Sequence, residues 1–450
     1  MITLHPDRGL QRRVWAALLA VTVMPFSWAA DEPLVDAPYV IDLATALRLA
    51  GAQNVDVQLA RNAVEEARAS YTSALGSFIP SIVPTATYLR HSGVSQAVNG
   101  SIVGGSKEAT STGAGLVLQL PVGEAAFAAL QGRRLVAAAD AAAESQLQNS
   151  SLTAATRYFE LVRARAQVAA VSQAAEVSQD YQRQLTEAVR IGIAFKGDLL
   201  RVETQSQRLQ LDLARARQQQ ALASAALAQA LHLDPLVRLE PAEAEPVPLA
   251  LADLNTDAQA LLRSALEQRP EIAQSRALIE AAEEGRRGAV WGPLVPTLSA
   301  QAGLGHLNGN PLGTPQAGGR ADDVVFGLSW KIGPGGIFDI GRMRTSGFKV
   351  RAAVLADEKL RESVSREVAD GHTRVTSLFE QVRIARLNVT AAEETLRLTR
   401  ERKELGVGTV LEDIQAQQEL VRARSELIAS VTELNQEQYG LLRATGSTLR

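Results

Sequence analysis

The chain has 450 residues, room for two or three ordinary domains, with 46 % hydrophobic but only 4 % aromatic content and a formal net charge of −3. Alanine dominates the apolar set, which argues against a compact aromatic core and for helices in close, extended contact. The absence of cysteine excludes disulfides, thiolate metal sites and a lipidated amino-terminal cysteine, and the charge balance offers no basic footprint for nucleic acid.

Arg8, Arg12 and Arg13 precede the apolar run VWAALLAVTVMPF and the small-residue exit Ser27, Trp28, Ala29. This reads as a secretory signal over residues 1–29, cleaved after Ala29; the run is too short for a comfortable membrane anchor. Its removal takes the formal charge from −3 to −5. No later stretch is apolar enough for a spanning helix.

From Asp42, a plausible N-cap, residues 42–76 carry a helical pattern that ends at Pro80 in FIPSIVP. The period then changes to two, predicting strands over about 81–91 and 109–120 separated by the Gly- and Ser-rich loop HSGVSQAVNGSIVGGSKE. After the turn PVGEA comes a helical pattern of about 65 residues, roughly 100 Å of rod. It breaks at EAVRIGIAFKGDLLRVETQ, centred on Gly192, and returns as a helix of about 40 residues with the stripe Leu209, Leu213, Ala216, Ala223, Leu227, Ala230.

A proline-rich linker over residues 234–256 follows, and then the order repeats. A shift of 214 positions lays Gly192 on Gly406, Asp198 on Glu412 and Leu200 on Ile414. The stripe Leu161, Ala164, Val168, Val171, Ala175 falls on Val375, Leu378, Val382, Ala385, Val389, and Val57, Arg61, Glu65 fall on Ile272, Arg276, Glu280. Pro296 ends the second leading helix, strands are predicted over about 297–306 and 323–332 with HLNGNPLGTPQAGGRADD between them, and IGPGGIFDIGR turns into the second long helix. The domain reading is therefore signal 1–29, first repeat 30–233, linker 234–256, second repeat 257–446 and tail 447–450, each repeat running helix, strand, strand, long helix, tip, return helix.

Strands of about ten residues with one greasy face suit a tilted transmembrane β-strand, and four cannot close a barrel, so several chains must share one. A soluble sheet packed on the helices is the alternative, and the aromatic girdle is thin: Tyr88, Phe326, Trp330 and Trp291. At the helix breaks, Ile191, Ile193, Leu405 and Val407 put apolar side chains beside Gly192 and Gly406 at a rod end in water, which suggests a docking surface; packing of the turns on each other is the plainer reading. Asp198 and Glu412, six residues beyond each glycine, could repeat by symmetry into carboxylate rings lining a pore, or be solvated helix charges. His5, His91, His232, His306 and His372 are scattered without metal-ligand spacing, GLGHLNG at 303–309 opens a loop rather than a helix, and no catalytic constellation stands out.

The duplicated half, the helices running into FIPSI and LVPTL, the strand ending in SWKIGPGGIFDIGR and the tips followed by GDLLRVE and LEDIQAQ resemble TolC-like outer-membrane efflux proteins over about Asp42 to Gly446. The resemblance implies a mainly α fold with a transmembrane β-barrel portion: a homotrimer whose twelve strands form one barrel, continuous with a trimeric α-barrel across the periplasm. It further implies a passive exit duct of a tripartite efflux or type I secretion system rather than an enzyme, without cofactors, embedded in outer-membrane lipid and docked to a periplasmic adaptor and an inner-membrane pump. IGI and LGV stand where many members carry VGL or VGT, and Gln415 is neutral where some place a carboxylate. The alternative function is a periplasmic coiled-coil scaffold or adaptor that never enters lipid, although adaptors carry one hairpin and this chain carries two.

Overall fold

The computed structural model describes residues 39–52, 54–96, 99–252, 256–311, 317–405 and 407–447. The signal segment and Gly406 lie outside the described residues.

The chain opens with strand β1 (Tyr39–Ile41) and helices α1 (Leu43–Ala52) and α2 (Val55–Gly76). Asp42 starts α1, its Oδ1 accepting the Thr45 N–H at 2.9 Å. The single helix expected over 42–76 is two, because Asn54 caps a new start by accepting from the N–H groups of Asp56 at 2.8 Å and Val57 at 3.3 Å. Nor does Pro80 end it. The helix already stops at Gly76, where the Phe78 N–H turns back to the Leu75 carbonyl at 3.1 Å.

Strands β2 (Ser81–Gln96) and β3 (Ile102–Pro121) form a hairpin; the long helix α3 (Val122–Arg190) and the return helix α4 (Lys196–Ala230) follow. The linker contributes β4 (Leu239–Pro241), and the second repeat runs α5 (Ala258–Gln268), α6 (Pro270–Trp291), β5 (Thr297–Pro311), β6 (Ala317–Ser329), α7 (Ile340–Glu404) and α8 (Val410–Ala444). Pro270 starts α6 at its first turn, where the missing N–H costs nothing, so the second leading segment is also divided. That helix too stops short of its proline, giving way to a 3₁₀ turn over Gly292–Leu294 before Pro296.

The strands are longer than their apolar alternation suggests. Ladder pairing carries β2 and β3 through the Gly- and Ser-rich stretch to the pair Gln96–Ile102, and β5 and β6 to Gly309–Ala317. Much of the long loops expected there is strand among the described residues; main-chain pairing extends past the point where side chains stop being greasy. PVGEA is no turn either, since β3 passes at Pro121 directly into α3, while β6 stops at Ser329 rather than near 332.

Sheet order is β2-β3-β5-β6, antiparallel throughout. Register sets three apolar rows on one face: Leu120–Leu298–Leu328, Leu118–Ala300–Phe326 and Ile82–Leu116–Ala302–Val324. Above them the face turns polar at Thr112–His306–Arg320 and carries Tyr88 on the next pair, while exposed Trp291 and Trp330 stand below. The opposite face is stripped of bulk: Gly113 pairs with Gly305 and Gly115 with Gly303. A Cβ on Gly113 would lie 2.6 Å from the Leu304 carbonyl oxygen, so this sheet curves tightly around a glycine stripe.

Beneath the sheet α3 packs on α2 and α4 at one side and on α6 and α8 at the other, and α7 packs on α6 and α8. Leu161, Ala164, Val171 and Ala175 of the first stripe and Val375, Leu378, Val382 and Ala385 of the second are buried. Val168 and Val389 are half-buried. The linker is not a mere spacer. β4 pairs in parallel with β1, and farther on the Asn435 and Gln438 side chains bond the backbone of Val247, Leu249 and Leu251 at 2.8–2.9 Å, as a neighbouring strand would.

At mid-height the C-terminus of α8 meets the N-terminus of α6 over a buried ring of charges. Arg269, 3 % exposed, reaches Glu367 at 2.7 Å and Glu271 at 3.3 Å. Arg443 bonds Glu271, and also Glu367 at 2.8 Å and Asn149 at 3.0 Å. Burial opposes the charge on Glu271, yet the hydrogen bond from Arg269, with Arg443 beside it, holds its carboxyl below the usual range. A carboxyl so lowered adds stability above the ordinary carboxylate range, and that contribution is lost as pH falls through the lowered value. Arg443→Ala should therefore destabilise the helical body by about 2 kcal/mol, because it removes one of the two guanidinium partners of Glu271 and Glu367 while Arg269 keeps its bonds to both. In thermal melts the wild type should lose stability on acidification below about pH 4, and Glu271→Gln should lose less.

Candidate functional site

Both hairpin ends are built from helix-capping chemistry. At the first, Gly192 has φ 81°, with its N–H on the Val189 carbonyl at 3.1 Å and the Ile193 N–H on the Ala188 carbonyl at 2.9 Å. This Schellman closure needs a left-handed residue, which glycine supplies without strain. At the second, the Val407 N–H returns to the Arg402 carbonyl at 3.1 Å in the same way.

The closures turn apolar side chains outward. Ile191 is 56 % exposed, Ile193 76 %, Leu405 79 % and Val407 66 %. Sequence reading missed Phe195, 72 % exposed, and the lesser contribution of Leu411. Phe195 folds back over Gly197, where an added Cβ would come within 2.3 Å of its ring, and the GD that follows it was the available signal. The two tips are joined from within by Leu185, Val202 and Ile414, a cluster spanning α3, α4 and α8.

Asp198 and Glu412 occupy one structural place, the third residue of a return helix. Glu412 completes a capping box with Thr409, each side chain meeting the other's backbone N–H at 3.3 Å. Asp198 sits in the first turn of α4, 3.3 Å from Arg201, and favours the positive helix end. Their six-residue spacing from the glycines is explained by helix initiation. Both remain partly exposed, at 30 % and 40 % of the side chain.

The acid that sequence reading overlooked is its neighbour Asp413, buried to 2 %. It lies 3.6 Å from Lys403 and 3.9 Å from Arg400 of α7, and accepts from Gln417 at 3.3 Å. Lys403 in turn rests over the Tyr181 ring of α3, 3.4 Å from its centroid, a cation–π contact that crosses from one hairpin to the other. Burial pulls the Lys403 ammonium down against the pull of Asp413, and pushes the Tyr181 hydroxyl up to about 12 with help from the Asp413 and Asp198 charges. The first repeat has Leu199 at the place of Asp413, so duplication could not reveal this cluster.

Among the described residues no group of three or more His, Asp or Glu side chains could hold a metal, and no helix is long and apolar enough to cross a membrane.

Residues 261–447, most of the second repeat, match the family model described as outer membrane efflux protein. The whole architecture is that of solved outer-membrane channels. The chain is 16 % identical to the CmeC outer membrane channel of Campylobacter jejuni, with TM-score 0.77, covering 90 % of this chain and 85 % of that one. It is 19 % identical to the outer-membrane channel OprN, with TM-score 0.75 and 90 % of each chain covered. To a membrane protein from Pseudomonas aeruginosa it is 20 % identical, with TM-score 0.77, covering 90 % of this chain and 93 % of that one. No curated protein sequence matches the chain.

Replacing Asp413 by leucine, the residue of the first repeat, leaves Lys403 and Arg400 without their carboxylate. Hydrogen exchange should then accelerate at the end of α7 and the start of α8 while the mid-height amides keep their protection. Unchanged exchange at the tip would refute the clamp.

Proposed function

We propose that this chain is the outer-membrane exit duct of a tripartite efflux system. Three copies each contribute four strands to one twelve-stranded barrel, and their helices continue it as a tube into the periplasm. The observation that carries the reading is a four-stranded sheet with an apolar face and two open edges, whose β3 runs directly into a helix of 69 residues and whose β6 leads through a turn into one of 65. A periplasmic scaffold or adaptor has no use for that face. Passage through the tube is passive. Selection and energy belong to an inner-membrane pump, met through a periplasmic adaptor.

Ile191, Gly192 and Ile193, with Leu405, Gly406 and Val407, form the adaptor-docking tips, and Phe195 extends the first of them. Asp198 and Glu412 set the charge of the mouth through the part of each carboxylate left to solvent. The clamp of Asp413, Lys403 and Tyr181 holds the two hairpins together, so widening the mouth must break it.

Cell fractionation should recover the chain as a heat-modifiable trimer in the outer membrane; recovery as a soluble periplasmic protein would overturn the duct. Phe195→Asp with Ile193→Asp should abolish crosslinking to the adaptor while leaving the trimer intact. Asp198→Asn with Glu412→Gln, which keep the shape of the helix starts, should lower cation preference in planar-bilayer recordings; unaltered ion selectivity would remove both acids from the pore.

A further inference from the structure

A cavity of about 540 Å³ lies immediately below the sheet, where α6 runs between α3 and α7. Its upper rim is set by Glu124 and Arg342, each in the first turn of a long helix, and joined at 2.7 Å. Its walls include Phe127 and Leu278, and Lys349 lies at its edge. Two lining groups are unsatisfied. Glu284 is 9 % exposed, and while one of its oxygens accepts from Arg287 at 2.8 Å, Oε2 is closed off with no hydrogen-bond partner. Arg342 likewise has Nε and Nη2 closed off and unpartnered.

A buried acceptor and two buried donors left unmade in one small space each carry a substantial cost. A molecule that offers an N–H donor to Glu284 and an oxyanion to Arg342 satisfies both at once, and the apolar wall takes a hydrocarbon part. Trp291, two residues beyond the lining residue Ala289, and Trp330, which donates to the Leu294 carbonyl at 3.2 Å, are both exposed, side chains suited to the border between hydrocarbon and head groups.

We infer that this cavity binds an amine–phosphate zwitterion of the phosphoethanolamine type, its ammonium on Glu284 and its phosphate on Arg342. The location next to a bilayer rests on the duct reading; the binding chemistry does not.

The purified trimer in detergent is offered equal amounts of phosphatidylethanolamine, phosphatidylcholine and phosphatidylglycerol, and retained lipid is counted by native mass spectrometry. Phosphatidylcholine lacks the N–H that Glu284 needs, and phosphatidylglycerol lacks the amine. The ethanolamine lipid should be retained about tenfold over both, the size of a lost hydrogen bond to a charged group. Glu284→Gln should erase the preference. Soluble glycerophosphoethanolamine separates the sources: competition with the lipid places the site within reach of free zwitterions in water, and lack of competition assigns it to membrane lipid. Equal retention of the three lipids, water alone with no saturable adduct, or an undiminished preference in Glu284→Gln would overturn the site. None of these results touches trimer formation or conductance, so the duct reading stands or falls separately.

Discussion

Hydrocarbon offers no hydrogen-bond partner to a peptide group, so a sheet in a membrane cannot keep an open edge. Here β2 and β6 are both edges, and the strands between them are too few to close. The same count governs the helices. Each strand continues into one helical column: β2 meets α2, β3 runs into α3, α6 leads to β5, and β6 leads to α7. Strands lie about 4.8 Å apart and packed helices about 8–10 Å apart, so equal numbers of both make a narrower sheet than helical layer, even allowing for strand tilt. The columns must converge at the neck. Glycine is found at that convergence: a Cβ on Gly123 would lie 2.4 Å from the Gly292 carbonyl oxygen, pressing α3 against the end of α6.

Duplication supplies two similar halves of the chain, and its failures mark where the copies took different work. The joint of α2 with α4 is made by Asn54, whose amide reaches the Ala230 carbonyl at 3.5 Å; the joint of α6 with α8 is made by Arg269 on the Ala444 carbonyl at 3.4 Å, inside a four-member charge ring. Ser224 and Gln438 hold matching places, and both receive linker backbone, a single N–H in one case and a ladder in the other. His232 stands where the second repeat has Gly446, and adopts the left-handed φ of 55° that glycine takes more cheaply. The copy keeps the architecture while local chemistry is renegotiated.

What could be read in advance follows from periodicity. The long helices, the tips and the buried stripes repeat at fixed intervals, and Gly192 announces its own turn. Strand lengths were under-read because Gly93, Gly104 and Gly105 carry ladder pairing without an apolar side chain to display it. Asn54 looked like one polar residue in a helical run until its side chain was seen to cap α2. Asp413 was hidden for a different reason. Its partners Lys403 and Arg400 come from the end of α7, across the hairpin turn, and Lys403 rests on Tyr181 of α3; nothing in the spacing of one helix shows contacts made between helices. Asp198 and Glu412 attracted attention by recurring, yet the recurrence comes first from helix capping, which any return helix in this position needs.

The distribution of cross-links determines where these helices can yield. At mid-height the linker ties β1, β4 and α8 together, and the ring of Arg269, Glu271, Glu367 and Arg443 pins α6, α7 and α8, with Asn149 adding α3. Relative motion of the columns there would expose several buried charges together. Below, the hairpins are joined by the apolar cluster of Leu185, Val202 and Ile414, the amide pair Gln205–Gln418 at 2.7 Å, hydrogen bonds from Gln167 to Ser425 at 3.0 Å and from Arg424 to Gln173 at 2.8 Å, and one ammonium over one ring. These are few, local and near solvent, and regions with such sparse contacts are the ones that open at low free-energy cost. Rigidity at mid-height thus confines deformation to the last turns of the helices, where the apolar side chains of the two hairpin ends stand exposed.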